Sequence, residues 1–306
     1  MKKIILFLFL LAIAGLTWYL FIKKYDYQFQ TTAKYGPGAV FYELRGWEKI
    51  NDPTVSGKMD LVNKKPFREL TQKMSLNDST FVEMNWNLER LTDTSTAISL
   101  NVQSNKNQLS NRFDIINPFQ KSVYIDSLKH NILAFKRLLN EHQEAYRISI
   151  EKMLTETPEM NCICSFSKNI AIDKKAEEMM ATISLLENYI LTNKLNIKGY
   201  PFLKVSKWNR EEDIIDFDFC FPIGNIQGLK ETANLRLKEY PSQESLKMIF
   251  NGNYRLSHIA WYDILNLAEE KSYKTTGLPM EIFYDNPKID FDELNWKAEI
   301  YLPVID

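Results

Sequence analysis

The sequence has few of the residues that mark disulfide frameworks, metal sites and flexible linkers. It contains 3 cysteines, 3 histidines, 10 glycines and 11 prolines among 306 residues, and its formal net charge is −1. Three cysteines are too few for a disulfide framework. A net charge near zero excludes a broad electrostatic attraction to nucleic acid or to anionic lipid. We therefore expect a globular chain, long enough for two domains, with no nucleic-acid partner.

The motifs of common enzymes and metal sites are also missing. The sequence has no glycine-rich phosphate loop and no Gly-x-Ser-x-Gly elbow. Its histidines have no partners at metal-ligand spacing: His130, His142 and His258. Cys162 and Cys164 are two apart, so on a strand both point to one face, and we expect them and Cys220 to be buried thiols. We predict no metal ion and no cofactor.

An uncharged apolar stretch occupies residues 4–22, between lysine pairs at 2–3 and 23–24. At about 1.5 Å per residue it nearly spans the hydrocarbon core of a bilayer. Trp18, Tyr19 and Phe21 lie at its far end, where aromatic rings favour the membrane interface. It lacks the shorter apolar core and small-x-small site of a cleaved signal peptide. We predict a retained single-pass anchor over residues 1–24, with the bulk of the chain exported. Lysines at both ends leave the orientation open.

Residues 25–147 have the pattern of a sheet closed by a long helix, which is an α+β arrangement. Alternating apolar positions predict strands at residues 67–74, 81–89 and 95–102. Residues 123–146 are predicted to be helical, because apolar side chains recur at helical spacing. These side chains are Leu128, Ile132, Phe135 and Leu139.

This region resembles the SRPBCC superfamily, the START and polyketide-cyclase-like helix-grip fold. The resemblance is carried by residues 40–50 around Trp47, by the hairpin from Trp86-Asn87-Leu88-Glu89 to Thr96-Ala97-Ile98, and by the closing helix. It implies a hydrophobic cavity, reduced or filled here because the strand region is short. Trp47 and Trp86 either line that cavity or belong to the core.

Two stretches of the C-terminal half, residues 159–306, end alike. Residues 199–201 are Gly-Tyr-Pro and residues 277–279 are Gly-Leu-Pro; each leads through a strand and a turn to a strand that ends in proline. A helical pattern precedes each stretch, and a strand at residues 234–240 is predicted to open the second repeat. The repeat predicts a pseudo-two-fold domain built from two strand-helix-strand-strand units, with a cleft between them. Asp218 and Glu299 occupy equivalent positions, four residues before the closing proline.

Alternation along the two closing strands separates their side chains into two faces. One face is apolar and should pack on the helices: Phe217, Phe219, Phe221, Ala298, Ile300 and Leu302. Asp218 and Glu299 lie on the other face, which is either solvated or turned towards the cleft. A carboxylate among Tyr and Trp rings suits a cationic or polar aromatic ligand.

Residues 159–306 resemble the GyrI-like effector-binding domain, which also occurs attached to AraC- and MerR-type bacterial regulators. The motifs that carry the resemblance lie at residues 199–201, 216–223, 252–254, 277–287 and 298–304. The resemblance implies a cleft for hydrophobic, often cationic small molecules, with a glutamate of the last strand, here Glu299, at its centre. Asn253 replaces a proline that is usual in the family. No helix-turn-helix precedes the domain, so regulator function does not carry over.

The leading hypothesis is a membrane-anchored protein that senses or sequesters a small amphipathic molecule, with cationic molecules among the candidates, and it favours binding over enzymatic activity. Its predicted ligand-binding residues are Glu299, Asp218, Tyr301, Tyr254, Trp261 and Phe283. One alternative is a hydrolase of reactive small molecules, in which Glu299 acts with Tyr254 or Tyr301. Another is a scaffold whose cleft is filled by its own bulky side chains.

Overall fold

The structure, a computed structural model, describes residues 2–47, 58–77, 80–105, 108–117, 123–287, 289 and 291–305. The fold is α+β with antiparallel sheets, as predicted. The chain divides into two compact units. The first comprises Met1–Lys34, Val40–Leu91 and Ser95–Glu141; the second comprises Tyr35–Ala39, Thr92–Thr94 and His142–Asp306.

The chain begins with helix α1, Lys2–Thr17, which continues as a π-helical turn through Trp18–Ile22. Over Lys3–Ile22 this is one helix long and apolar enough to cross a membrane. Its end is tied to the first unit by Arg112, which donates to the carbonyl oxygens of Leu20 at 2.7 Å and Lys23 at 2.6 Å. The same guanidinium forms a buried ion pair with Asp26, at 2.8 Å.

The first unit contains a five-stranded antiparallel sheet in the order β1-β5-β4-β3-β2. Its strands are β1 Tyr27–Ala33, β2 Lys58–Lys65, β3 Glu69–Asn77, β4 Thr80–Thr92 and β5 Ser95–Ser104. The helices are α2 Pro37–Gly46, α3 Gln108–Ile116 and α4 Val123–Ala145. The long closing helix is therefore confirmed as α4. The motif around Trp47 is described only up to that residue, since residues 48–50 lie outside the described part.

The tryptophans of the first unit are core residues that pack on the closing helix. The rings of Trp47 and Trp86 lie 5.2 Å and 4.9 Å from that of Phe135, both edge-to-face. Trp86 donates its indole N–H to Gln72 at 2.9 Å, so its polar atom is satisfied inside the core. Of the two roles left open for these tryptophans, the packing supports the core role.

The second unit contains a nine-stranded antiparallel sheet in the order β11-β8-β10-β9-β13-β14-β12-β6, with β7 paired to β12. Its strands are β6 Tyr146–Ile150, β7 Thr155–Glu156, β8 Met160–Ala171, β9 Phe202–Asn209, β10 Ile214–Ile223, β11 Leu235–Tyr240, β12 Glu244–Gly252, β13 Met280–Phe283 and β14 Lys297–Pro303. Its helices are α5 Lys175–Thr192 and α6 Ile259–Glu270.

The predicted duplication is present in this sheet. The triplet β8-β10-β9 is followed in the sheet by its equivalent in reverse order, β13-β14-β12, with β8 corresponding to β12, β10 to β14 and β9 to β13. The pseudo-two-fold axis therefore passes between β9 and β13. Helix α5 packs on β8 and β10, and α6 packs on β12 and β14. One detail of the sequence analysis is wrong: the second repeat was expected to open at residues 234–240, but that segment is β11 and pairs with β8. The equivalent of β8 is β12, a strand that was not predicted.

A disulfide joins two neighbouring strands of the first repeat. Cys164 on β8 is directly opposite Cys220 on β10, and the two are bonded. Cys162 is a buried free thiol, and burial raises its pKa to about 12. The expectation of three free thiols therefore holds only for Cys162. Sequence spacing could not reveal the bond, because it depends on the register of two strands far apart in the chain.

Candidate functional site

A cavity of about 800 Å³ lies in the second unit, between α5 and the sheet. Its walls come from α5, from β10 and β13, and from the segments that follow β12 and β13. They are mostly apolar and aromatic, and include Met179, Ile183, Phe219, Tyr254, Phe283 and Trp296. This size and lining are typical of pockets for small organic molecules.

Simple periodicities place the cavity side chains. Met179 and Ile183 are four apart on α5, so they lie on one face of the helix. Phe219 and Phe221 are two apart on β10, so both point to the side of the sheet that the helices cover. We call this side, which also carries Phe283, the helix face. The side with Asp218 and Glu299 is called the back face.

Tyr254 forms a fixed aromatic wall of the cavity. Its hydroxyl donates to the carbonyl oxygen of Lys297 at 2.9 Å and accepts from the N–H of Asp285 at 3.1 Å. Its ring lies 4.9 Å from that of Phe283 and 5.6 Å from that of Trp296. Burial raises the pKa of Tyr254, so the phenol stays neutral at ordinary pH. The residue offers a ring surface rather than a reactive oxygen.

The rim of the cavity is polar and carries charges of both signs. Glu177, Glu187 and Arg255 reach it with exposed side chains. Tyr200 and Tyr284 also contribute, with ring centroids 4.5 Å apart. An apolar chamber with a polar rim fits an amphipathic molecule, whose polar end can remain in water.

The two carboxylates expected to face a cleft lie on the back face, where lysines and tyrosines of the protein bind them. Asp218 accepts from Lys238 at 2.6 Å and from the Tyr240 hydroxyl at 3.0 Å. It is 2% exposed. Asp218 and Glu299 are three strand spacings apart, about 14 Å along the sheet.

Glu299 is bound by four side chains. Lys297 and Lys247 lie 2.7 Å and 3.0 Å from Oε1. The hydroxyls of Tyr301 and Tyr284 donate to Oε2 at 2.6 Å and 2.8 Å. Burial alone would raise the pKa of Glu299, but these hydrogen bonds outweigh burial and lower the pKa to about 2. The carboxylate is therefore ionised and fully engaged.

The six predicted site residues do not line one cavity. Tyr254 and Phe283 line the cavity on the helix face. Glu299, Asp218 and Tyr301 lie on the back face, because their strands alternate with period two. Trp261 is fully buried on α6, with its ring 5.6 Å from that of Trp208. The contribution of α5 to the cavity was not predicted, although the apolar stripe with Met179 and Ile183 is visible in the sequence.

A buried ion pair lies next to the cavity and was also missed. Lys175 Nζ is 3.3 Å from Oε2 of Glu281, and neither side chain is exposed. Burial lowers the pKa of Lys175 and raises that of Glu281, while each partner's charge opposes the shift of the other. His258 is buried nearby, and burial, followed by the charge of Lys175, lowers its pKa to about 3. The signal in the sequence was a glutamate within the apolar strand 280–283.

Among the residues that the structure describes, no group of three or more His, Cys, Asp or Glu side chains is arranged to hold a metal ion. The cavity itself offers aromatic contact, apolar burial and a polar rim.

One family model and several solved structures are similar to parts of this chain. Residues 155–305 match the family model described as a GyrI-like small molecule binding domain. The EcmrR C-terminal domain is 19% identical with a TM-score of 0.44, over 53% of this chain and 98% of that one. SAV2435 bound to tetraphenylphosphonium is 11% identical with a TM-score of 0.34, over 51% and 94%. The di-domain ARO/CYC StfQ from the steffimycin biosynthetic pathway is 11% identical with a TM-score of 0.22, over 91% and 85%. Among curated proteins, none matches this sequence.

Proposed function

We propose that this protein is anchored in a membrane by its N-terminal helix and senses or sequesters a small amphipathic molecule, since residues 155–305 match the family model of a GyrI-like small molecule binding domain. The observation that carries the proposal is the cavity between α5 and the sheet, with its aromatic walls and polar rim. Its volume of about 800 Å³ accommodates a molecule of several fused or linked rings. Tyr254, Phe283 and Trp296 would contact the ring faces of such a ligand.

Binding is favoured over hydrolysis by the state of Glu299. A carboxylate that activates water needs a pKa near the working pH and must reach the substrate. Glu299 has a pKa of about 2, is bound by lysines and tyrosines, and points to the back face. The Tyr254 hydroxyl is engaged by backbone groups. These observations support a protein that binds its ligand without converting it.

One observation supports an anchor that is retained, and a second supports export of the bulk of the chain. Arg112 binds carbonyl oxygens of Leu20 and Lys23, so the end of the apolar helix is part of the folded first unit. Cleavage within this segment would leave the buried guanidinium short of acceptors, which is costly. The Cys164–Cys220 disulfide supports export of the second unit, because disulfides persist in oxidising compartments.

The binding proposal is tested with the full chain in detergent micelles and a panel of neutral and charged polyaromatic compounds. A ligand that binds only the folded protein raises the melting temperature. Ile183→Trp fills the cavity and should abolish the shift, whereas Ser184→Trp, on the exposed side of the same helix, should preserve it. Absence of any shift across the panel, or equal shifts in both variants, would contradict the proposal.

The anchor is tested separately by mass spectrometry of the protein recovered from the membrane fraction. The retained-anchor proposal expects peptides from residues 4–22 in the mature protein. A mature N-terminus beyond Lys24 would show instead that the segment is a cleaved signal.

A further inference from the structure

The ion pair beside the cavity is arranged like a site for a cationic ligand. Lys175 is the first residue of α5 and Glu281 lies in β13, with 3.3 Å between Nζ and Oε2. The ammonium also donates to the carbonyl oxygen of Tyr254 and to Oγ of Ser257, each at 2.7 Å. All of these groups are buried.

Aromatic rings complete the surroundings of the ammonium. Lys175 Nζ is 5.6 Å from the centroid of the Trp261 ring and 5.9 Å from that of Phe283. A carboxylate combined with aromatic ring faces is a common way for proteins to bind organic cations. Here the cation is a side chain of the protein itself.

This site lies directly behind the wall of the cavity. Phe283 and Tyr254 contact Lys175 and also line the cavity, and Ala176, the next residue of α5, lines it too. A charge placed in the cavity would therefore interact with Glu281 and Lys175 together. Because the two charges are opposite and 3.3 Å apart, their fields largely cancel at the cavity.

The other buried carboxylates close to the binding region are also paired with lysines. Asp218 is bound by Lys238, and Glu299 by Lys247 and Lys297. The rim residues Glu177 and Glu187 are exposed to solvent, where their charges are screened, and Arg255 opposes them. Asp285 also lines the cavity; it is half-buried, and one of its oxygens accepts from the N–H of Lys297 at 2.7 Å. Among the described residues that line the cavity, no fully buried carboxylate remains to compensate a ligand cation that has lost its water.

We propose that Lys175 takes the place of a ligand cation at Glu281, and that the cavity consequently selects neutral polyaromatic molecules over cationic ones. The inference rests on the proposed binding function of the same cavity. It departs from the expectation of a cationic ligand, because that expectation treated the carboxylates as available.

The test compares two probes that each carry three phenyl rings on phosphorus, neutral triphenylphosphine oxide and cationic methyltriphenylphosphonium. The full chain in detergent should bind the neutral probe about tenfold more tightly, a preference worth about 1.4 kcal/mol. Lys175→Met keeps the side-chain length and removes the charge, so Glu281 becomes available and the preference should reverse. Adding Glu281→Gln should restore the preference for the neutral probe. Circular dichroism checks that each variant is folded.

The outcomes distinguish failure of the inference from failure of the proposed function. Equal affinities of the unmodified chain for both probes, or the same ratio in Lys175→Met, would overturn the inference while leaving small-molecule binding intact. Failure of both probes to bind any variant would overturn the inference and count against the proposed function.

A second measurement remains decisive if Lys175→Met folds poorly. Lys175→Ala leaves a space the size of an alkylammonium ion beside Glu281. Butylammonium should raise the melting temperature of this variant, whereas butanol should not, and neither should affect the unmodified chain. Equal stabilisation by butanol would show that the position requires volume and not positive charge, which overturns the inference.

Discussion

The two faces of the nine-stranded sheet use the same strands in opposite ways. On the helix face, aromatic side chains leave a cavity beside α5. On the back face, the carboxylates are bound by the protein's own lysines and tyrosines. Phe219 and Asp218 are neighbours on β10, yet one lines the cavity and the other is enclosed by Lys238 and Tyr240. The helix face therefore leaves apolar surface for a ligand, whereas the buried charges of the back face are neutralised by the protein itself.

The two repeats also differ on the helix face. Helix α6 is buried along its whole length from Ile259 to Ala268. Helix α5 buries a stripe, and the cavity lies alongside it. The bulky Trp261 on α6 fills space in its repeat, whereas Met179 and Ile183 on α5 leave space. The pseudo-two-fold symmetry is therefore broken by side-chain volume, and the cavity lies against the helix of the first repeat.

The largest effect is expected on the helix face, at the buried ion pair. Glu281→Ala leaves the ammonium of Lys175 buried without its partner and should destabilise the protein by about 3–5 kcal/mol. The double change Lys175→Met with Glu281→Leu should recover most of this loss, because no buried charge remains. Urea denaturation monitored by circular dichroism measures both. A single variant as stable as the double one would show that solvent reaches Lys175.

Removal of the disulfide tests how strongly the stability of the first repeat depends on one covalent link between its strands. Replacing both Cys164 and Cys220 by Ser should lower the stability by about 2–4 kcal/mol, since the unfolded chain gains freedom. Cys162→Ser is the matched control at a buried thiol of the same strand. The difference between the double variant and the unmodified chain should vanish when the latter is reduced. A difference that persists under reduction would assign the loss to packing instead.

Glu299→Gln tests whether the back face is independent of the cavity. It should lower stability by about 1–3 kcal/mol at neutral pH, because hydrogen bonds to a charged acceptor are lost. Ligand affinity should not change. The pKa of Glu299 falls from its ordinary 4.5 to about 2 in the folded protein, so the unfolded chain binds the proton more readily. The stabilisation is therefore present above pH 4.5 and is lost as the pH falls towards 2.

The measurement is the difference in unfolding free energy between Glu299→Gln and the unmodified chain, followed across that pH range. It should shrink as the pH is lowered. A fall in ligand affinity would connect Glu299 to binding and remove the distinction between the faces.

The smallest effect is expected at Tyr284, which takes part in both faces. Its ring lines the cavity, and its hydroxyl binds Glu299 on the back face. Tyr284→Phe removes only the hydroxyl and should reduce stability by about 1 kcal/mol without changing ligand affinity. Tyr284→Ala should weaken binding as well. If Tyr284→Phe alone weakened ligand binding, the hydroxyl and not the ring would be the contact.

Much of the fold could be predicted from the sequence because it follows local rules. The helical stripe of residues 123–146 predicted α4 to within one residue at its end. The paired Gly-x-Pro turns predicted the duplication. The second turn needs its glycine, since Gly277 has φ of 67°, in the left-handed region. The opening strand of the second repeat was misassigned, because β11 and β12 both alternate and only pairing across the sheet distinguishes them.

Less of the site could be predicted. Tyr254 and Phe283 were identified and line the cavity. The assignment of Glu299 and Asp218 to a shared cleft treated symmetry in the sequence as proximity in space. Their lysine partners on β11, β12 and β14 are strand neighbours whose register is not visible in a single sequence.

The sequence by itself determined the two repeats and the face on which each side chain lies, because strand alternation and helical spacing depend on near neighbours along the chain. The tertiary structure decided which face holds a cavity and which charges are available. Those outcomes depend on which side chains from distant parts of the chain come into contact, as Lys175 of α5 does with Glu281 of β13. A buried charge is either a binding site or a structural element according to its partner, and only folding brings that partner into contact.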